Sequence, residues 1–237
     1  FKLLKLAKSK IIEINPDIII TIDAPGFNFR LQKSIRKLNF KQLHYVAPSV
    51  WAWKSYRAKK ITKFLDHLFV LFPFEKKFFT KEGLRTTFVG HPIAFDDNFD
   101  KNKYFLESSL KDNLIKKIAF LPGSRLGEIK KLMPVFIKTA HLLNKDYRSI
   151  KFYIVTLNEY KSIITEYFKD SNLNYYITDN HNERYNIYSK VDFVLCASGT
   201  VTMEVAKAST AMLVVYKLNF ITWFIVRALV KVKTATI

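Results

Sequence analysis

The stretch Asp17-Ile18-Ile19-Ile20-Thr21-Ile22-Asp23 is a β-branched run between two aspartates, opened by Asn15-Pro16 and closed by Ala24-Pro25-Gly26. A short apolar run bounded by turn residues is typical of a strand buried inside a parallel sheet. The run therefore predicts an α/β fold. It also places Asp23 at the carboxyl end of that strand, where open α/β sheets build their ligand sites.

Strands and helices alternate along the rest of the chain. Further strands are predicted at 41–46, 69–72, 87–89, 118–121, 151–156, 175–178, 192–196 and 211–216. Helices are predicted between them, for instance at 28–37, at 56–63 and up to about residue 144, and an apolar, aromatic helix at 220–231. Regular alternation of this kind indicates parallel sheets.

A polar, charged segment divides the two series of strands, with Asp97-Asn98 near its start and Lys116-Lys117 at its end. We place the domain boundary there. The sequence therefore predicts two domains, residues 1–96 and 118–237, joined by a connector at 97–117. Two Rossmann-like domains whose parallel sheets face a cleft form the architecture of the GT-B glycosyltransferases.

Composition narrows the class of partner. The chain has 39 Lys and Arg against 20 Asp and Glu, a formal charge of +19, which favours nucleic acid, anionic lipid headgroups or phosphorylated substrates. Cys196 is the single cysteine, so no internal disulfide can form. No apolar run reaches the roughly 18 to 20 residues of a membrane span, and no signal peptide is evident, so we expect a soluble, cytoplasmic protein.

Asp23 is the natural candidate for a general base, because a carboxylate at a strand end can reach a bound substrate. The alternative is that Asp23 only caps the turn or the following helix.

An aromatic loop follows the next predicted strand, in the segment from His44 to Lys54. It carries Trp51 and Trp53, and a loop this aromatic either packs on its own domain or receives a sugar or an acyl chain. His44 alone is more typical of a hydrogen-bonded interior histidine than of a catalytic one.

Two loops in the second half are suited to a nucleotide diphosphate; the alternative for either loop alone is an ordinary structural turn. Gly123, Ser124 and Arg125 join a strand to a helix and offer backbone N–H groups and a guanidinium to an anion. Ser198, Gly199 and Thr200 repeat this arrangement, and Glu204, one turn into the next helix, could accept both hydroxyls of a ribose. No Asp-x-Asp pair follows a strand, so we expect no metal and no cofactor, with helix N-termini and Arg125 meeting the leaving-group charge.

Six segments taken together resemble the lipid-A-disaccharide synthases, glycosyltransferase family 19. They are Ile22-Asp23-Ala24-Pro25, the block from His44 to Trp53, Leu71-Phe72-Pro73-Phe74-Glu75, Phe88-Val89-Gly90-His91-Pro92, Leu121-Pro122-Gly123-Ser124-Arg125 and Ala197-Ser198-Gly199-Thr200. The His44–Trp53 block is the most specific, since the phosphate loops recur in many GT-B enzymes.

The resemblance implies an inverting transfer of 2,3-diacylglucosamine from its UDP derivative to the 6-hydroxyl of 2,3-diacylglucosamine 1-phosphate (lipid X), which yields the β-1,6 disaccharide of lipid A and UDP. It implies that residues 1–96 bind the acceptor and that residues 118–237 bind the UDP-sugar. It also implies that the protein is peripheral on the cytoplasmic face of the inner membrane. Asp23 matches the proposed catalytic aspartate and Arg125 the diphosphate contact. Acceptor-cleft residues implied by the matching segments are His44, Ser49, Trp51, Trp53 and His91.

Departures from the family pattern shape the remaining expectations. Gly26 stands where an acidic residue is common, and neither the Gly-Glu-Ser-Gly-Asp type loop that opens family members nor their Leu-Pro-Asn ending is found. We therefore expect an interior fragment that is inactive and poorly soluble alone.

Two alternatives stay open. Another UDP-sugar enzyme of GT-B type, such as a peptidoglycan glucosaminyltransferase or a UDP-sugar epimerase, could share the Ser198–Thr200 loop and Glu204. A nucleic-acid-binding protein would suit the charge, but no helix-turn-helix, zinc-ligand or RNA-binding sheet signature supports it.

Overall fold

Two α/β units make up the part of the chain that the computed structural model describes, residues 2–51, 56–96, 116–147 and 149–217. The first unit ends at Pro92 and the second begins at Ile93. All nine predicted strands fall within these described residues and are present. Trp53, the predicted helix at 220–231 and most of the predicted connector lie outside them.

The first unit contains a four-stranded sheet in which the strands follow chain order and every neighbouring pair is parallel. Its strands are β1 (Ile18–Ile22), β2 (Lys41–Tyr45), β3 (His67–Val70) and β4 (Thr86–Phe88). Its helices are α1 (Lys2–Ile14), α2 (Pro25–Ile35), α3 (Arg57–Ile61) and α4 (Lys76–Thr80). The sequence patterns used above did not predict α1.

β1 is buried on one face only. Ile19 and Thr21 are buried, whereas Ile18, Ile20 and Ile22 are 50 to 64% exposed. Among the described strands, β1 pairs with β2 alone and so lies at the edge of the sheet. The prediction of a fully buried strand is therefore wrong, because apolar residues on both faces of a strand do not guarantee that both faces are covered.

β2 carries a fully buried imidazole, that of His44. Its Nδ1 lies 2.7 Å from the Thr21 hydroxyl on β1, and its ring meets the edge of Phe29 at a centroid distance of 4.7 Å. Burial lowers the pKa of His44 to about 4, and the nearby negative charge of Asp23 opposes that shift. His44 is therefore a neutral interior residue.

The second unit contains a five-stranded parallel sheet in the order β7-β6-β5-β8-β9. Its strands are β5 (Lys116–Leu121), β6 (Ile150–Val155), β7 (Tyr175–Thr178), β8 (Phe193–Ala197) and β9 (Met212–Val215). Its helices are α5 (Leu126–Asp146), α6 (Lys161–Phe168), α7 (Glu183–Lys190) and α8 (Val201–Lys207). The order reverses between β5 and β8, and ligands bind at such a switch point in open α/β sheets.

Both faces of this second sheet are covered. Phe120, Phe136 and Phe152 belong to a buried cluster that α5 and α6 close on one face. Tyr185 and Tyr188 of α7 are buried in the cluster on the other face. Two packed layers hold the strands in fixed register, and with them the loops at their carboxyl ends.

Residues 93–96 pack on the second unit. The Tyr185 hydroxyl donates to the Asp96 carboxylate at 2.8 Å, and the Lys207 ammonium donates to the carbonyls of Ile93 and Asp96 at 2.8 and 2.6 Å. At the other end of the predicted connector, β5 already begins at Lys116. Among the described residues, no helix has the length and apolar character of a membrane span.

The neutral His44 predicts a pH dependence of stability. The unfolded chain binds a proton below pH 6.5 that the folded state excludes down to about pH 4, so the free energy of unfolding should fall across that window. At about 1.4 kcal/mol per pKa unit the loss is roughly 3 kcal/mol. Urea unfolding between pH 4 and 7 should therefore show a flatter profile for His44→Gln. His141→Gln, at an exposed position of α5, controls for the loss of one imidazole, and parallel profiles for His44→Gln and the parent would contradict the prediction.

Candidate functional site

A cavity of about 330 Å³ opens at the carboxyl ends of β5, β6, β7 and β8 in the second unit. It collects every residue that the sequence predicts for donor binding. These residues are Gly123, Ser124, Arg125, Ser198, Gly199, Thr200 and Glu204. Two loops separated by more than seventy residues in the sequence therefore form one site.

Gly123 allows the first loop to pass close to its neighbours. Its φ is +104°, a conformation that side chains rarely adopt. A Cβ added there would lie 2.6 Å from Glu128 Oε2, 3.2 Å from Glu128 Cβ and 3.4 Å from the Ala197 Cβ. Both the backbone conformation and the limited space therefore favour glycine here.

Arg125 stands at the start of α5, a helix of 21 residues. Its Nη1 donates to Glu128 Oε1 at 2.8 Å, while its side chain remains 79% exposed. The first N–H groups of a long helix carry a partial positive charge and have no partner within the helix. Backbone amides and a guanidinium thus adjoin one wall of the cavity, which suits an anion.

The second loop is compact and built from small residues. The Thr202 hydroxyl and the Thr202 amide both donate to the Gly199 carbonyl, at 2.8 and 3.1 Å. A Cβ on Gly199 would meet no atom within 4 Å, so the space beside this residue is open. A ligand can therefore approach the backbone closely here.

Glu204 is a buried carboxylate, 8% exposed, on the cavity wall. Burial raises its pKa, and the positive charge of Arg184 opposes that shift. Arg184 Nη2 lies 3.3 Å from Glu204 Oε1, with both side chains largely buried. This partner fixes the position of the carboxylate at the cavity.

The cavity also contains residues that the sequence analysis missed. They are Thr156, Leu157, Asp179, Asn180, His181, Arg184 and Tyr188. The polar run Asp179-Asn180-His181 directly follows a predicted strand, and that position was a usable signal. Arg184 and Tyr188 lie on α7, and no local motif marks them. Across the described residues of both units, no group of three or more His, Cys, Asp or Glu is placed to hold a metal ion.

In the first unit, Asp23 ends β1 in a left-handed turn. Asp23 and Ala24 have φ values of 49° and 42°, and the Asp23 amide donates to the Tyr45 carbonyl at 2.9 Å. The side chain of Asp23 is exposed. An exposed carboxylate at the carboxyl edge of the sheet is accessible to a substrate.

Aromatic side chains follow the other strand ends of the first unit. Trp51 packs edge-on against Phe74 at 5.4 Å, and Phe72 contacts Phe74 and His91, each at 5.8 Å between ring centroids. Ser49, two residues before Trp51 in the sequence, is exposed, and His91 is half-buried. Of the predicted acceptor-side residues that the structure describes, His44 alone is wholly interior. Its place among the contact residues is therefore corrected to that of a buried residue near the charge of Asp23.

Glu75, in the Leu71–Glu75 segment, is a second buried carboxylate, 5% exposed. Its Oε2 accepts the amides of Leu71 and Phe72 at 3.1 and 3.0 Å. Burial raises the pKa of Glu75, and these amides oppose the shift. The Trp51 indole lies close enough to favour the ionised form, though outside regular hydrogen-bond geometry. Glu75 therefore holds the chain at the end of β3, next to the aromatic residues.

Comparison with known proteins now decides the family. The family model described as Lipid-A-disaccharide synthetase matches residues 1–237. The chain belongs to this family. It is 39% identical over 244 residues to the lipid-A-disaccharide synthase of Rickettsia conorii and 38% identical to that of Rickettsia felis, with 100% of the chain covered in both cases. It spans 54% and 62% of the length of these two relatives.

Solved structures show the fold of this member of the lipid-A-disaccharide synthetase family. Acinetobacter baumannii MurG matches with a TM-score of 0.59 at 15% identity, covering 96% of the chain and 60% of MurG. The UDP co-structure of Staphylococcus aureus MnaA matches with a TM-score of 0.62 at 16% identity, covering 92% of the chain and 63% of MnaA. The fold is of the GT-B type. At these identities the likeness concerns the fold alone, so it does not favour the alternative enzymes considered above.

The Gly123 geometry gives a stability prediction for this lipid-A-disaccharide synthetase family member. Gly123→Ala should lower the free energy of unfolding by roughly 1–3 kcal/mol, because the new Cβ is strained and contacts Glu128. Gly127→Ala is the matched control, since a Cβ there meets nothing within 4 Å and α5 is helical. Chemical denaturation of the three proteins measures the difference, and equal stabilities for the two variants would refute the prediction.

Proposed function

We propose that this chain carries the donor cavity and the general base of an inverting glycosyltransferase. The reaction transfers 2,3-diacylglucosamine from UDP-2,3-diacylglucosamine to the 6-hydroxyl of 2,3-diacylglucosamine 1-phosphate, with release of UDP. One observation carries the proposal: a chain matched throughout by the family model also gathers all seven predicted donor residues around one cavity.

On the donor side, the proposal rests on the charges around the cavity. The start of α5 and the guanidinium of Arg125 suit the diphosphate, whose negative charge grows as the sugar departs. The Ser198–Thr200 loop lets a phosphate oxygen approach the backbone. Glu204, held by Arg184, suits the two hydroxyls of a ribose, since an ionised carboxylate accepts hydrogen bonds.

On the acceptor side, Asp23 takes the proton of the attacking hydroxyl. Inversion at the anomeric carbon needs a single displacement, in which the hydroxyl oxygen forms the new bond while the bond to UDP breaks. A positioned carboxylate that removes the hydroxyl proton contributes roughly 10²- to 10⁴-fold. The exposed position of Asp23 at a strand end supports this role.

The acceptor carries acyl groups and a phosphate, and the protein offers surfaces of matching chemistry. Trp51, Phe72 and Phe74 are candidates for apolar contact with the acceptor. The formal charge of +19 favours anionic headgroups, and we include in the proposal a peripheral location on the cytoplasmic face of the inner membrane.

Nucleotide selectivity tests the donor cavity without need of turnover. UDP should raise the thermal unfolding temperature of the chain more than ADP does, since a ligand at 100 times its Kd stabilises by about 2.7 kcal/mol. Arg125→Gln should reduce the UDP shift, whereas Lys138→Gln, an exposed cation further along the same helix, should keep it. Equal shifts with UDP and ADP, or no loss in Arg125→Gln, would argue against a uridine diphosphate site.

Asp23→Asn tests the base. Asparagine tolerates the positive φ at this position, so the turn should persist while the proton acceptor is lost. In the full gene product we expect turnover to fall by roughly 10²- to 10⁴-fold, with the UDP-induced thermal shift unchanged. Turnover is measured with radiolabelled acceptor, and near-parental turnover would make Asp23 a turn residue instead.

A further inference from the structure

The turn at Asp23 and Ala24 is stabilised by residues that lie outside it. Asp23 and Ala24 are consecutive non-glycine residues with positive φ, at 49° and 42°. Residues with a side chain seldom adopt this conformation, and they persist in it only where their surroundings impose it. Interactions with neighbouring residues must therefore stabilise this turn.

Asn28, in the first turn of α2, supplies two restraints. Its Nδ2 donates to the Ile22 carbonyl at 3.0 Å and to the Asp23 carbonyl at 2.7 Å. These carbonyls lie on either side of the Asp23 Cα along the chain. Holding both fixes the two backbone torsions around that Cα, and hence the direction in which the Asp23 carboxylate leaves the strand.

The side chain of Asn28 is not occupied in capping α2. The helix begins after Ala24, which provides no side-chain cap, and its first turn is closed by the amides of Phe27 and Asn28, which donate to the Ala24 carbonyl at 3.0 Å. The amide of the Asn28 side chain instead reaches back to the end of β1. Its two hydrogen bonds therefore act on the turn rather than on the end of the helix.

We propose that Asn28 is a positioning residue that aims the Asp23 carboxylate. This inference rests on the proposed function, in which Asp23 is the base. A base displaced by about 1 Å can lose roughly a hundredfold in rate, so the clamp acts on turnover more than on substrate binding. The chemistry needs an amide: at neutral pH an aspartate in place of Asn28 would present a carboxylate to two carbonyl oxygens and could donate to neither.

Kinetics of the full gene product test the proposal. Asn28→Ala and Asn28→Asp should each lower kcat by roughly ten- to a hundredfold, with KM for both substrates and the UDP-induced thermal shift close to parental values. Ser34→Ala is the matched control, because it removes a polar group of the same helix whose bond, to the Leu31 carbonyl, stays within α2. This control should keep the parental kcat. Parental kcat in Asn28→Ala, or equal losses of kcat in Asn28→Ala and Ser34→Ala, would overturn the inference.

The double variant Asp23→Asn/Asn28→Ala separates this inference from the proposed function. If Asn28 acts through Asp23, removing Asn28 has no further effect on kcat once the carboxylate is gone. Multiplied losses in the double variant would refute the positioning role. Parental turnover in Asp23→Asn alone would instead refute the proposed function.

A readout independent of activity completes the test. In isotope-labelled protein, the one-bond Cα–Hα couplings of Asp23 and Ala24 report the sign of φ. They should show positive φ in the parent chain and in Ser34→Ala, and a shift towards negative φ in Asn28→Asp. Unchanged couplings in a folded Asn28→Asp protein would show that the turn holds without the clamp, and the proposal would fail.

Discussion

The parallel pairing of β5 with β8 is the interaction on which the cavity of the second unit depends. Leu121 and Cys196 are partners at the carboxyl end of this pair, so the loops that follow leave the sheet side by side. The chain reaches β6 and β7 on one side of β5 before it returns to β8 on the other. This reversal separates the helices that follow β5 and β8 and opens the crevice between their loops. Gly123 lies so close to Ala197 that a Cβ built on the glycine would be 3.4 Å from the Ala197 Cβ, and a shift in register would move the two residues apart.

Positive φ values at strand ends fall on glycine after some strands and on residues with side chains after others. After β4 and β5 a glycine takes the positive φ, Gly90 at 83° and Gly123 at 104°, because glycine has no Cβ to oppose it. After β1 and β2, Asp23, Ala24 and Val46 take it, with side chains in place. There the hydrogen bonds of neighbours compensate: the Asp23 amide donates to the Tyr45 carbonyl and the Val46 amide to the Phe69 carbonyl. At Asp23 and Val46 these bonds offset the strain of the positive φ.

How far the sequence predicts the molecule depends on how local each signal is. The strands and the two loops that line the cavity were recognisable because β-branched runs, glycine and small residues act within a few positions. Arg184 was not recognisable from the sequence, because its approach to Glu204 depends on how α7 packs beside α8. The burial of His44 was equally hidden. The alternation of side chains along β2 places His44 on the same face of the sheet as Gln42. Only the helices packed on the sheet decide which face is covered.

The two ion pairs at the cavity differ in strength in a way that suits their places. The Arg125–Glu128 pair is largely exposed on the arginine side, and an exposed pair contributes about 0–1 kcal/mol. Arg125 can therefore leave Glu128 for an entering anion at small cost. The Arg184–Glu204 pair is shielded, with side chains 21% and 11% exposed, and removing one partner of a buried pair costs about 3–5 kcal/mol. Glu204 is thus kept in place, while the cation that would meet the diphosphate remains free to move.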